Sequence, residues 1–104
     1  MEKRSFERID TDVDVRFSYG YIFYTGSIKN LSERGLYIRT KNCLPDNSLI
    51  LIMFRVEDEL LKILARVKRS TKSNRYNDSM GIAVLNPQRK YIDYVNNMKS
   101  IYSS

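Results

Sequence analysis

The sequence has no histidine and a single cysteine among its 104 residues. Without histidine, zinc centres and imidazole acid–base catalysis lack their usual ligand and base. Cys43 has no partner for an internal disulfide, which suits a reducing compartment. No nucleophile–base pair is visible, so an enzyme is not expected. The longest apolar run, Leu49 to Phe54 in "SLILIMFRV", is far short of the roughly 20 residues a membrane helix needs. The opening "MEKRSFERID" is charged where a signal peptide requires an apolar stretch. The expectation is a soluble cytoplasmic protein with neither metal nor cofactor.

The residues that are present fit one small domain. Hydrophobic residues make up 42% of the chain, enough for a modest core. The net charge of +6 favours an anionic partner: a nucleotide, a nucleic acid, a membrane surface or an acidic protein. Charge alone does not choose among them, and a solvated basic surface gives the same number.

Periodicity supplies the elements. Val13, Val15, Phe17 and Tyr19 alternate with polar residues, the mark of a half-buried strand. "YIFYTGSI" resumes after Gly20 and completes a hairpin. "LYIRT" is a third strand after Gly35, and "LPDNS" is a turn built by Pro45, Asp46 and Asn47. "LILIMFRV" carries apolar residues on both faces, which predicts a central strand. The turn Glu57 to Glu59 leads to a strand over Leu60 to Arg69. The polar "STKSNRYNDS" predicts a mobile loop, and "MGIAVL" closes the series. Asn86 as N-cap and Pro87 at the first helical position predict a terminal helix, on which Tyr91, Tyr94, Val95, Met98 and Ile101 share one face. Six short strands with tight turns predict an all-β fold, a small six-stranded antiparallel β-barrel with a C-terminal α-helix. Residues 1–12 read as an N-terminal arm and 13–104 as the barrel with its helix, in one domain. Closure also removes the edge that a strand such as "LILIMF" otherwise exposes.

Two polar stretches carry the chemistry. "RSFER" sets Arg4 and Arg8 four residues apart. Arginine is a flat fork of donors that fits phosphate oxygens and the O6/N7 edge of guanine. "NLSERG" sets Asn30 and Ser32 two apart, on one face if extended, with Gly35 allowing positive φ or close backbone approach. Taken alone, either stretch also fits a solvated terminus or an ordinary Asx turn.

Together, R-x-x-x-R and [D/N]-x-S-x-x-G, separated by a hairpin and succeeded by further strands, resemble the PilZ domain family. The resemblance covers essentially the whole chain, including the late "GIAVL" strand and the helix after it. The second motif begins here with asparagine in place of the commoner aspartate. The resemblance implies a six-stranded barrel that binds the bacterial second messenger cyclic di-GMP. It implies that Arg4 and Arg8 grip guanine edges and phosphates, that Asn30 and Ser32 bond a guanine, and that Gly35 permits a tight turn beside it. Arg69 is a further candidate: in step with Val67, it would reach the barrel mouth and stack on a base. The implied mechanism is a receptor that signals to a downstream protein partner by ordering its N-terminal arm. A homodimer is left open. The alternatives are a barrel that binds single-stranded nucleic acid through Tyr19, Tyr21, Phe23 and Tyr24, and a non-binding adaptor of the same family. The first is disfavoured because strand alternation should turn half of those aromatics into the core.

Overall fold

A computed structural model describes residues 8–71 and 78–103, with side chains to Ser100. Arg4, the rest of the arm before Arg8, the centre of the expected mobile loop and the Ile101 side chain lie outside the described residues. Six antiparallel strands form a closed barrel in the order β1-β2-β3-β6-β5-β4. They are β1 (Ile9–Tyr19), β2 (Ile22–Leu31), β3 (Gly35–Arg39), β4 (Leu49–Val56), β5 (Glu59–Thr71) and β6 (Ser79–Val84), with the helix α1 (Arg89–Ser103) after them. The sequence expectation of fold class holds. Strand β1 starts four residues ahead of the clean alternation, so residues 9–12 of the expected arm are strand. Strand β5 likewise continues through Thr71, two residues beyond its expected end.

Alternation sets the core. Phe17, Ile28, Ile38, Ile52, Val67 and Ile82 point into the barrel and are almost wholly buried. Phe17 also stacks on Tyr24 with ring centroids 5.5 Å apart. The β1–β2 hairpin pairs Tyr19 with Ile22, leaving Gly20 and Tyr21 as a two-residue turn. Gly20 has φ 65°, the left-handed value a type II′ turn needs at its first central position. Asn47 supplies the left-handed residue of the "LPDNS" turn, with φ 74°.

Two expectations are corrected. Strand β4 buries only Ile50, Ile52 and Phe54, while Leu49, Leu51 and Met53 lie on the outside. Closure gives every strand two neighbours but only one inner face, so apolar residues on both faces do not place a strand between two covered layers. The helix begins at Arg89, not Pro87, and the Gln88 carbonyl accepts the Ile92 amide at 3.0 Å. Asn86 has φ 47° and is no N-cap; asparagine tolerates the left-handed region and turns the chain before the helix. The apolar stripe of α1 packs as expected: Tyr91 and Val95 are buried, Met98 covers them, and Tyr94 meets Phe54 with ring centroids 5.4 Å apart.

Candidate functional site

The turn between β2 and β3 is held by one side chain. The Ser32 hydroxyl accepts the amides of Arg34 at 3.3 Å and Gly35 at 3.2 Å, and the Ser32 amide donates to the Gly35 carbonyl at 2.8 Å. Serine can fold a turn onto itself in this way because its oxygen reaches amides two and three residues ahead. Ser32 is only 3% exposed. Its hydroxyl is therefore engaged in holding the turn. On the far side, the Ser32 carbonyl accepts the Tyr91 hydroxyl of α1 at 2.5 Å, a contact between residues 59 apart in sequence. Burial, helped by Tyr94 and Glu33 and opposed by Arg8, raises the Tyr91 pKa well above the usual phenol value. The phenol stays a donor at any ordinary pH.

Arg8 enters over this turn. Its Nη1 donates to Asn30 Oδ1 at 2.6 Å. Gly35 makes room for it: a Cβ there would stand 3.2 Å from Arg8 Nη2 and 3.1 Å from the Ile82 carbonyl oxygen. The need for a hydrogen side chain at Gly35 is thus close approach, the second of the two reasons the sequence offered.

Register explains how the remaining residues meet. Asp10, Asn30, Tyr37, Gly81 and Arg69 stand opposite one another in a single row across β1, β2, β3, β6 and β5. Three strand spacings, about 14 Å, separate Asn30 from Arg69. Neither residue is in phase with its own strand. The register shifts between Ile28 and Asn30, and again between Val67 and Arg69, so Lys29 and Lys68 are extra residues. Each bulge reverses the in–out parity of the residues beyond it. The expectation that Arg69 stays in step with Val67 and reaches the barrel mouth is therefore corrected. Val67 is buried, and Arg69 stands exposed on the outer wall opposite Gly81.

Tyr37, Gly81 and Arg69 of this row line a cavity of about 560 Å³ together with Arg8, Ser32, Arg34, Gly35 and Lys68. A Cβ at Gly81 would meet nothing within 4 Å, so the glycine leaves the surface open beside Tyr37. Tyr37 is 37% exposed, and its hydroxyl bonds Ser79 Oγ at 2.7 Å, which steadies the ring. Four cations converge with an aromatic face between them, an arrangement suited to a compact anion that carries flat rings. The structure thus brings Arg8, Ser32, Gly35 and Arg69 to the cavity lining, with Asn30 beside it on Arg8; Arg4 lies outside the described residues. Sequence reasoning missed Arg34, Tyr37, Lys68 and Gly81. The outward position of Tyr37 was readable from the alternation of "LYIRT"; the parity change at Lys68 was not. Among the described residues no group of acidic or cysteine side chains could hold a metal, and no helix is long and apolar enough to cross a membrane.

A family model described as "PilZ domain" matches residues 2–97. No curated protein matches the chain. Among solved structures, the PilZ domain of CeSA from a cellulose synthesizing bacterium is 19% identical, with a TM-score of 0.69 over 94% of this chain and 99% of that one. The Borreliella burgdorferi PlzA protein in complex with c-di-GMP is 16% identical, with a TM-score of 0.75 over 92% of this chain and 40% of PlzA. The PilZ domain of Escherichia coli YcgR with c-di-GMP is 10% identical, with a TM-score of 0.65 over 93% and 88%. At such identities the likeness to these three establishes the fold.

Proposed function

We propose that this chain, which belongs to the PilZ domain family, is a non-catalytic receptor for cyclic di-GMP. The observation that carries this reading is the single registered row from Asn30 to Arg69, flanked by Arg8 and opening on one basic cavity. Arg8 and Arg69 approach from opposite ends, so each can take one guanine edge or one phosphate of a two-fold dinucleotide. With its amide oxygen on Arg8, Asn30 keeps its amide nitrogen as a donor for guanine O6 or N7. Arg4 acts with Arg8 from the segment ahead of β1. Ser32 and Gly35 serve the site from below: one shapes the turn, the other leaves the space in which the Arg8 guanidinium lies. PlzA and YcgR, each solved with c-di-GMP, support the choice of ligand.

In this reading the output runs through residues 1–8. Binding pins Arg4 and Arg8, fixes the segment and presents it to a downstream protein. Two measurements test the proposal together. Calorimetric titration of the full chain with cyclic di-GMP should give saturable binding that GMP does not reproduce. Amide exchange should show greater protection over residues 1–8 in the complex than in the free protein. No binding removes the receptor assignment; binding with equal protection in both states removes the arm as the output.

A further inference from the structure

A depression of about 880 Å³ lies away from this site. It is lined by Arg16, Thr25, Met53, Arg55 and Leu60 among others, and reaches inward to Val15 and Phe54 where the β1–β4 ladder ends. Register shows what adjoins it. Phe23, Ser18, Leu51 and Leu64 stand opposite one another across β2, β1, β4 and β5, all facing outward. Phe23 is 61% exposed, Leu64 44% and neighbouring Leu49 47%. The next row reads Thr25, Arg16, Met53, Lys62. An apolar strip thus crosses the wall with Arg16, Arg55, Lys62 and Arg66 around it, and Asp14 is the one acid that lines the depression. The ion pairs Lys29–Asp12 and Lys90–Glu59 lie elsewhere and engage none of these four cations.

This wall is the far side of the barrel. In the order β1-β2-β3-β6-β5-β4 the proposed nucleotide row centres on β3 and β6, and the apolar strip on β1 and β4, three places round a ring of six. A ligand on one does not obstruct a partner on the other.

We propose that the outer wall of β1 and β4 is a docking surface for an acidic amphipathic helix of a partner protein. Where the strip crosses them, β1 and β4 are paired with each other, Ser18 with Leu51 and Arg16 with Met53, so a contact there is made by side chains. The strip from Phe23 to Leu64 spans three strand spacings, about 14 Å, the reach of roughly two and a half helical turns. Leucine or phenylalanine at positions i, i+4 and i+7 of such a helix covers Phe23, Leu51 and Leu64, while its glutamates meet Arg16, Arg55, Lys62 and Arg66. A second copy of this chain is a poorer occupant, because a two-fold contact sets these cations against themselves. A bilayer is poorer too, since the depression is concave where a lipid surface is flat. The inference does not depend on the nucleotide reading.

The test uses the full chain and three synthetic peptides of about 15 residues, long enough for measurable helicity. One is a Leu/Glu amphipathic helix, one its scrambled isomer, and one the Leu/Lys counterpart. Amide chemical shifts of the wild-type protein map the contact, and anisotropy measures affinity. The acidic amphipathic peptide should bind and perturb Phe23, Leu51, Met53 and Leu64. The double variant R16E/R55E, whose changes lie on the exposed face, should weaken that binding by about tenfold or more and leave cyclic di-GMP titration unaltered. Equal binding of the scrambled or basic peptide overturns the proposal, as do shifts that map elsewhere. Phosphatidylserine vesicles that protect this wall while the peptide does not bind replace it with a membrane contact. Sedimentation showing a dimer broken by L64D replaces it with self-association.

Discussion

Gly35→Ala separates the two jobs of the β2–β3 turn. The added methyl would sit 3.1 Å from the Ile82 carbonyl oxygen and 3.2 Å from Arg8 Nη2. Gly35 shows no left-handed φ, so alanine fits the backbone there. The crowding against Ile82 costs about 1 kcal/mol. Reduced freedom of the unfolded chain returns roughly 0.4–1 kcal/mol. Folding stability should therefore change by less than about 1 kcal/mol, measured as a shift in urea midpoint at constant slope. The Arg8 guanidinium is the flexible neighbour and must give way by a few tenths of an ångström. Such a shift misaligns a fork without removing it, so about half of a bidentate guanine contact worth roughly 1–3 kcal/mol is lost. Affinity for cyclic di-GMP should fall about three- to tenfold. A double-mutant cycle sharpens the test. In an Arg8→Ala background the methyl has no guanidinium to displace, so adding Gly35→Ala should cost less than about 0.3–0.5 kcal/mol of binding. If Gly35→Ala weakens binding equally in both backgrounds, the glycine does not act through Arg8. If it lowers stability by several kcal/mol, the Ile82 contact dominates and the reasoning fails.

Three further outcomes are expected. Tyr91→Phe leaves the Ser32 carbonyl without its partner and should cost about 1–3 kcal/mol of stability, read by denaturant titration. The raised pKa of this phenol has a definite sign: its contribution is complete below the unfolded value near 10 and is lost as pH rises toward the higher folded value, so a steep fall above about pH 10 should appear in the wild type and shrink in Tyr91→Phe. Phe17→Ala empties the barrel centre and removes the stack on Tyr24, with an expected loss of about 3–5 kcal/mol in thermal or chemical unfolding. Binding of cyclic di-GMP should vary weakly with salt, unlike a polyanion with its slope of about −0.7 to −0.9 per phosphate, and cyclic di-AMP should bind at least about tenfold more weakly because adenine offers a donor where guanine has O6; a steep salt slope with indifference to the base would favour the nucleic-acid alternative instead.

Much of the fold was legible because two-residue alternation is a strong local signal. "VDVRFSY" on β1 and "LKILARV" on β5 declared their inner faces, and Gly20 and Asn47 marked turns by the φ values they permit. The strand ends were less legible. Ile9 to Asp12 and Ser70 to Thr71 are polar stretches drawn into the ladder by their neighbours and not by their own pattern. Of the candidate site, residue types were readable and phase was not. A bulge is one unpaired residue, and nothing in the character of Lys29 or Lys68 distinguishes an unpaired lysine from an outward-facing one. Counting by twos therefore placed Arg69 on the wrong side. The turn that Ser32 closes upon itself was not readable from residue types either. The helix start slipped by two residues because asparagine serves equally as an N-cap and as a left-handed hinge.

The bond from Tyr91 to the Ser32 carbonyl also bears on modularity. Helix α1 comes after the last strand and looks like an appendage that could be trimmed or exchanged when the barrel is grafted into another polypeptide. Its first turn, however, seals the turn on which Arg8 and Gly35 depend. A fragment ending at Val84 keeps all six strands yet uncovers that carbonyl and the apolar surface beneath Tyr91 and Val95. The smallest autonomous piece is thus barrel plus helix. A fusion junction that respects the fold belongs beyond Met98, and one placed between β6 and α1 disturbs the wall around Arg8 and Gly35 even though no residue of that wall has been removed.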